Sequence, residues 1–317
     1  MNLELDDTQS AIKDSCDRLF ERTAGAARAR ALRASGGADE ELMSALAAGG
    51  FLDLFHDEDK GPLTATLVVE WAAEACVLAP VGQRMLVAPA LIAGEVPEIV
   101  AVADASSLEA VRYGAEAEML ILIDGDAVRV ARRGEFDATS VKSKFGYPMA
   151  RVSNVRGETL PAGSAAIARR WNRIAIAAEI AGSARAALKL TARYLGERSQ
   201  FGKRLSEFQA LQHRISMLHV LIDAARWTVR EAAYHGAPEA LAASAAMNAC
   251  EAAHSAFYET HQLTGAMGFT IEYDLHLWTM RLQALRQEMN GPRGHAQALV
   301  AARWGAGATT EVQNAHL

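Results

Sequence analysis

The stretch ERSQFGKRLSEFQALQ, residues 197–212, sets Arg198 and Lys203 around Gly202 at what reads as the junction of two long helices. Gly202 lets the backbone turn closely. The helix start that follows offers free N–H groups and the positive end of a helix dipole. Glycine, arginine and a helix N-terminus together make a site for phosphate, because the guanidinium adds a planar fork of two donors. The same residues also fit a glycine-broken turn with solvated cations, and Gln209 also fits the capping-box partner of Ser206 in S-E-F-Q. His254 and His261 are spaced to share one helix face, but no third ligand signal accompanies them, so no metal centre is predicted. There is no G-x-S-x-G elbow for a serine nucleophile.

The elements that must position these residues are mainly helical. In DDTQSAIKDSCDRLFERTA, Asp6, Asp7 or Thr8 offers an N-cap, and Ile12, Cys16, Leu19 and Phe20 share one apolar face. A second helix, DEELMSALAAGG, stops at Gly49-Gly50. A third, TATLVVEWAAEACVLAPVG, follows a short loop holding Gly61 and Pro62 and ends near Pro80. From about residue 85 to 165 the texture changes. AEMLILIDGDAVRVARRG reads as two strands around a Gly125-Asp126 turn, and SKFGYPMARVSNV as further short strands.

The remainder is helical again. One helix is predicted from about Arg169 to Leu195, halting at Gly196. The next runs from Ser206 as N-cap with Phe208, Leu211, Ile215, Leu218, Ile222 and Ala225 as its buried stripe. HGAP at 235–238 ends it, an alanine-rich helix spans about Glu239 to Leu263, and a last one lies around residues 294–304. Long helices joined by short turns predict an antiparallel four-helix bundle, with Trp171, Trp227, Trp278 and Trp304 as core or interface residues.

Composition narrows the function classes. The chain has 317 residues, half of them apolar, which suits a globular protein of two or three sub-domains. A net charge of -6 argues against a general nucleic-acid binder. Cys16, Cys76 and Cys250 form no CxxC pair, so a reducing cytoplasm is expected rather than a disulfide framework. The acidic start MNLELDDTQ lacks the basic and apolar regions of a signal peptide, and no apolar run reaches the length of a membrane span.

RYLGERSQFGKRLSEFQALQHRI closely resembles the start of the C-terminal bundle of acyl-CoA dehydrogenases, flavoenzymes that introduce an α,β double bond into acyl-CoA thioesters. HQLTGAMGFTIEYDLHLWTMR (261–281) resembles their Q-x-x-G-G-x-G segment, and LMSALAAGGFLDLF with LVVEWAAEACVLAP resembles their N-terminal helical domain. The matches follow the family's order over most of the chain. The resemblance implies an α+β, mostly α fold: an N-terminal helical domain (1–84), a reduced β middle domain (85–165) and a C-terminal four-helix bundle (166–317). It also implies that these motifs reach across a dimer interface to a neighbour's FAD. Arg198 would pair with the pyrophosphate, Phe201 would pack near the nucleotide, Gln209, Gln262 and Gly265 would contact the adenylate portion, and Gln200 and Gly202 of the same turn would belong to the cofactor-binding set. Ala266 stands where the family has its second glycine, so approach there is expected to be less close.

The family's reaction needs a carboxylate to take the proton α to the thioester carbonyl. Both positions that supply it in the resembled family are asparagine here, Asn290 before Gly291 and Asn172 before Arg173. A carboxamide has no useful basicity. Glu288 lies close by in sequence as a fallback, and otherwise reads as a solvated surface acid. A segment of the FALTEPGAGSD kind, which lines the flavin ring in the family, is also missing between GQRMLVAPALIAGEVPEIV and YGAEAEMLILIDGDAV.

The expectation is therefore a non-catalytic or half-site subunit, with little turnover alone, that completes the FAD site of a full-length acyl-CoA dehydrogenase paralogue. The resemblance to the smaller chains of actinobacterial steroid side-chain enzymes implies an unequal α2β2 assembly acting on an acyl-CoA in the partner's site, with an electron-transfer flavoprotein as the family's usual acceptor. The rivals are a self-sufficient homodimer using Glu288 and a flavin-free scaffold.

Overall fold

The computed structural model describes residues 4–58 and 60–305, so the outermost residues of the first and last expected domains lie outside the described residues. The first helix, α1 (Asp7–Thr23), is capped by Asp6. Its carboxylate accepts from the Gln9 backbone N–H at 2.8 Å, while the Gln9 side chain accepts from the Asp6 N–H. Then follow α2 (Ala26–Ser35), absent from the sequence expectation, and α3 (Glu40–Ala48), which ends before Gly49 and Gly50. The helix α4 (Gly61–Glu74) starts earlier than expected. Gly61 and Pro62 form its first turn rather than a loop, since a proline there gives up an N–H that had no partner to lose. It also ends earlier, because Cys76 takes a left-handed backbone (φ 63°) ahead of Pro80. Every residue from Leu63 to Ala73 is buried, so α4 is a core helix without a wet face.

The middle of the chain builds small sheets. The strands are β1 (Val100–Asp104), β2 (Val111–Arg112), β3 (Met119–Asp124), β4 (Ala127–Arg132), β5 (Asp137–Val141), β6 (Met149–Ser153) and β7 (Glu158–Thr159). The order in one sheet is β1-β3-β4-β7, and in the other β2-β6-β5. The expected hairpin forms between β3 and β4, where Asp124 pairs with Ala127 and Gly125 turns with φ 56°.

The bundle begins with α5 (Ser164–Glu197), 34 residues that run straight through Gly196. A lone glycine in a helix is tolerated, and this one is half-buried on a helix whose packing holds it. A ribbon follows, β8 (Ser199–Gln200) and β9 (Lys203–Arg204), then α6 (Gln209–Tyr234), α7 (Glu239–Thr264), α8 (Leu275–Leu285) and α9 (Gly291–Trp304). The sequence reading missed α8, whose start lies hidden behind the IEYD run.

Two contacts show how tightly the layers meet. A Cβ on Gly182 of α5 would stand 2.1 Å from the Glu70 carbonyl of α4, so only glycine allows these helices to touch there. The buried carboxylate of Glu70 receives Arg230 in a two-pronged contact at 2.9 and 3.0 Å, and Arg226 as well, tying α4 to α6. One continuous core joins α1, α3, α4, the inner faces of β1 and β3, and the bundle.

Candidate functional site: an exposed bundle end and a closed cleft

The residues with the phosphate-binding signature gather at one end of the bundle. Antiparallel α5, α6 and α7 bring the C-termini of α5 and α7 to the same end as the N-terminus of α6. Tyr273 secures that end: its hydroxyl donates to the Leu190 carbonyl at 3.0 Å and its ring meets Tyr194 at 5.7 Å. Arg214 of α6 pairs with Glu259 of α7 at 2.7 Å.

Within this end, Arg198 is the C-cap of α5. Its side chain is exposed and has no ionic or hydrogen-bonded partner among the described residues. The ribbon turns at Phe201 (φ 57°) and Gly202 (φ 81°), a two-residue turn that needs both positions left-handed. That conformation throws the Phe201 ring outward, 88% exposed, and leaves open space where a Gly202 side chain would be. Gln200, Gln209 and Gln262 are exposed, as are Gly265 and Ala266. Gly265 ends α7 with φ 59° and ψ -142°, a backbone that side-chain-bearing residues avoid, and nothing stands near its missing Cβ.

The S-E-F-Q capping box does not form. The Leu205 N–H donates to the Arg198 carbonyl at 2.8 Å, which draws Ser206 into a single 3-10 turn. The Glu207 carboxylate there accepts from the Arg204 N–H, and α6 starts only at Gln209 after an extended Phe208. Lys203 lies over the Phe208 ring at 4.3 Å. The two histidines separate: His261 is buried and bonds Thr279 at 3.1 Å, its pKa lowered by burial, while His254 meets the Tyr258 ring.

An unpaired guanidinium, free carboxamides and glycine-opened backbone are the donor set a dinucleotide diphosphate needs. These residues fit the outer edge of an FAD. They fit it on the protein's surface rather than in its interior, and Phe269 and Ile271, which follow Gly265 in the chain, are exposed as well. A separate groove of about 690 Å³ runs between α6 and α7, lined by Arg214, Met217, Val220 and Glu259.

A buried ion cluster lies where β2, α5 and the turn after α8 meet, at the edge of a narrow cleft lined by Tyr147 and Glu179, and sequence reasoning missed its centre. Arg112 is buried between two carboxylates: its Nη1 donates to Glu179 at 2.8 Å and its Nη2 to Glu288 at 3.2 Å. Its guanidinium also stacks on Tyr147 at 4.9 Å from the ring centre. Burial opposes its charge, yet Glu179 and Glu288 together hold it protonated. Glu288 is therefore not a solvated surface acid. Burial pushes its carboxyl up, with Arg112 pulling back. Asn290 is instead the exposed one, left-handed at φ 64° as the N-cap of α9. Asn172 is buried on α5 with its carbonyl oxygen unpartnered. No sequence signal marked Arg112, because nothing local links it to residues so distant along the chain.

Among the described residues no helix is long and apolar enough to cross a membrane. Residues 163–304 match the family model described as acyl-CoA dehydrogenase, C-terminal domain. The chain is 30% identical over 315 residues to acyl-CoA dehydrogenase IpdE2 of Mycobacterium tuberculosis, covering 92% of this chain and 96% of that one. Its fold is similar to a chain of the ChsE4-ChsE5 complex from Mycobacterium tuberculosis (TM-score 0.81, 18% identity, 95% and 98% of the two chains). It is likewise similar to a chain of the Tcur3481-Tcur3483 steroid ACAD (TM-score 0.77, 20% identity, 97% and 99%). With 30% identity to one such relative over nearly the full length of both chains, and the bundle that the family model describes, the chain belongs to the acyl-CoA dehydrogenase family.

Proposed function

We propose that this chain is the non-catalytic or half-site subunit of a heteromeric, FAD-dependent acyl-CoA dehydrogenase, completing the flavin site of a full-length paralogue. The observation that carries this reading is the outward presentation of Arg198. It stands exposed and unpaired at a bundle end with Phe201, Gly202, Gln209, Gln262 and Gly265, while the chain's inward-facing Arg112 is already paired with its own Glu179 and Glu288. FAD supplies the hydride acceptor in this family. This chain's part is to bind the diphosphate through Arg198 and the adenylate side through Gln262, and to cover the cofactor with Phe201. The asparagines at positions 290 and 172 leave proton abstraction to the partner. The likeness to a chain of a two-component complex, and to one of a steroid ACAD, supports an unequal assembly working on a steroid side-chain thioester; an electron-transfer flavoprotein is assigned as acceptor only by the family's usual pattern.

The deciding experiment is flavin content, by absorbance and mass, of the chain purified alone and co-expressed with full-length paralogues. A colourless chain and a complex with about one FAD per unequal pair support the proposal. One FAD per chain in the isolated protein overturns it.

A second reading has an observation of its own. Glu288, rather than Asn290, reaches inward to the cleft with a carboxyl whose pKa burial has raised, as a general base would need. Its engagement with Arg112 weighs against it, since a carboxylate clamped by a guanidinium is a weak base.

A further inference from the structure

Arg112 joins segments that are remote in the chain: it sits at the end of β2, receives Glu179 from the middle of α5, and receives Glu288 from the turn that follows α8. Tyr147 completes the contact by donating from its hydroxyl to Glu179 at 3.3 Å. Beside Tyr147 lies a narrow crevice lined by Val69, Ala73, Val77, Glu179, Ser183 and Arg281. Its volume of about 10 Å³ is at the lower limit for one water molecule. Within this region Glu179 Oε1 and Ser183 Oγ have no hydrogen-bond partner, a costly state for buried polar atoms that entry of solvent or a donor ligand would relieve.

The backbone on both sides of the ion pair is an independent sign. Tyr113, directly after Arg112, is left-handed (φ 58°), and so are Met289 (φ 54°) and Asn290 (φ 64°), directly after Glu288. Consecutive left-handed residues with side chains persist only where their surroundings hold them. The turn itself buries no residue fully, whereas Leu285 before it and Gly291 after it are buried. The anchored ends, the half-buried Met289 packed against the main core and the Glu288 carboxylate are what hold it down.

We infer that the Arg112–Glu288 contact is a latch: it holds the turn at residues 288–290 in a strained conformation and, through the shared Arg112, steadies Glu179 on the wall of the crevice beside Tyr147, so that its release loosens that crevice. The inference does not depend on which chain supplies the flavin or the base.

The test uses the full chain carrying Ser183→Cys, with and without Glu288→Gln, labelled under native conditions by a small maleimide and read out by peptide mass. Ser183 is 1% exposed and lines the crevice, and fully buried Cys16, on α1 and outside the crevice lining, reports any general loosening. Labelling of the introduced thiol at position 183 is expected to become at least tenfold faster with Glu288→Gln while Cys16 stays protected. Equal labelling rates overturn the latch, and so does parallel acceleration at Cys16, which would mean global unfolding. If Ser183→Cys fails to fold, amide hydrogen exchange of wild type against Glu288→Gln decides instead. Exchange at residues 289–291 should rise at least tenfold with α7 unchanged, and unaltered exchange there overturns the latch.

Discussion

Arg112 and Glu288 lie 176 positions apart in sequence and meet in the cleft, guanidinium Nη2 to carboxylate Oε2, at 3.2 Å. The acid that sequence alone placed on the surface is thus spent on a buried cation, and the asparagine beside it faces solvent. This one contact separates the proposals about catalysis. Glu288→Gln should leave turnover of an assembled complex within about twofold if the partner carries the base. Loss of turnover by the factor of about 10²–10⁴ typical of a removed general base would transfer catalysis to this chain. Steady-state assay of the complex, with the variant confirmed as folded, makes the choice.

Arg112→Met removes the cation and leaves Glu179 and Glu288 facing each other in a buried place. Breaking a buried ion pair from one side typically costs about 3–5 kcal/mol. Urea unfolding should show a loss in that range, and adding Glu179→Gln to the variant should recover part of it. Equal stability of Arg112→Met and wild type would show that the cluster is not a structural centre.

Arg198→Ala should behave in the opposite manner. With no partner among the described residues, its loss should change unfolding free energy by under about 0.5 kcal/mol, as for other surface substitutions. In the complex it should weaken FAD retention by about 10- to 100-fold, equivalent to the roughly 1.5–3 kcal/mol of a charge-assisted hydrogen bond. Flavin release followed by fluorescence on dilution measures it. Unchanged retention would favour the flavin-free scaffold.

His295 gives stability a pH dependence. It is fully buried on α9 with both ring nitrogens unpartnered, and burial, aided by nearby Arg173, pushes its pKa down from 6.5 to about 4. The unfolded chain therefore binds a proton that the folded chain refuses. The stability it contributes is complete above about pH 6.5 and is lost as pH falls toward 4. The loss across that window is about 3 kcal/mol. Comparing urea unfolding of wild type and His295→Leu at pH 7 and pH 4.5 should show a markedly flatter response in the variant.

Gly182→Ala should be among the most damaging of small substitutions, since its Cβ would overlap the Glu70 carbonyl unless α4 and α5 move apart. A loss of about 3 kcal/mol is expected from such overpacking. Thermal unfolding tests it, with Gly196→Ala, at a position with open space on the same helix, as the near-neutral control.

Much of the architecture was legible because it rests on short-range rules. Spacing by three and four placed Leu218, Ile222 and Ala225 in the core, although Phe208, Leu211 and Ile215 of the same expected stripe stay only half-buried toward the bundle end; Gly125-Asp126 marked the hairpin, and Asp6 was a correct capping candidate. The errors fell where a tertiary contact overrode a local signal. Ser206 did not cap α6 because the ribbon's bond from Leu205 to Arg198 held it elsewhere, whereas α5 passed Gly196 by only one residue before ending at Glu197.

By itself the sequence determined the order of helical, β and helical regions and the glycine-turned, arginine-bearing motif around Arg198, since each is written in neighbouring residues. Only the tertiary structure decided that Arg198 faces outward and that Glu288 faces inward. Both depend on which distant surfaces the fold brings together, and in particular on a two-residue strand, β2, that delivers a buried arginine to two carboxylates from elsewhere in the chain.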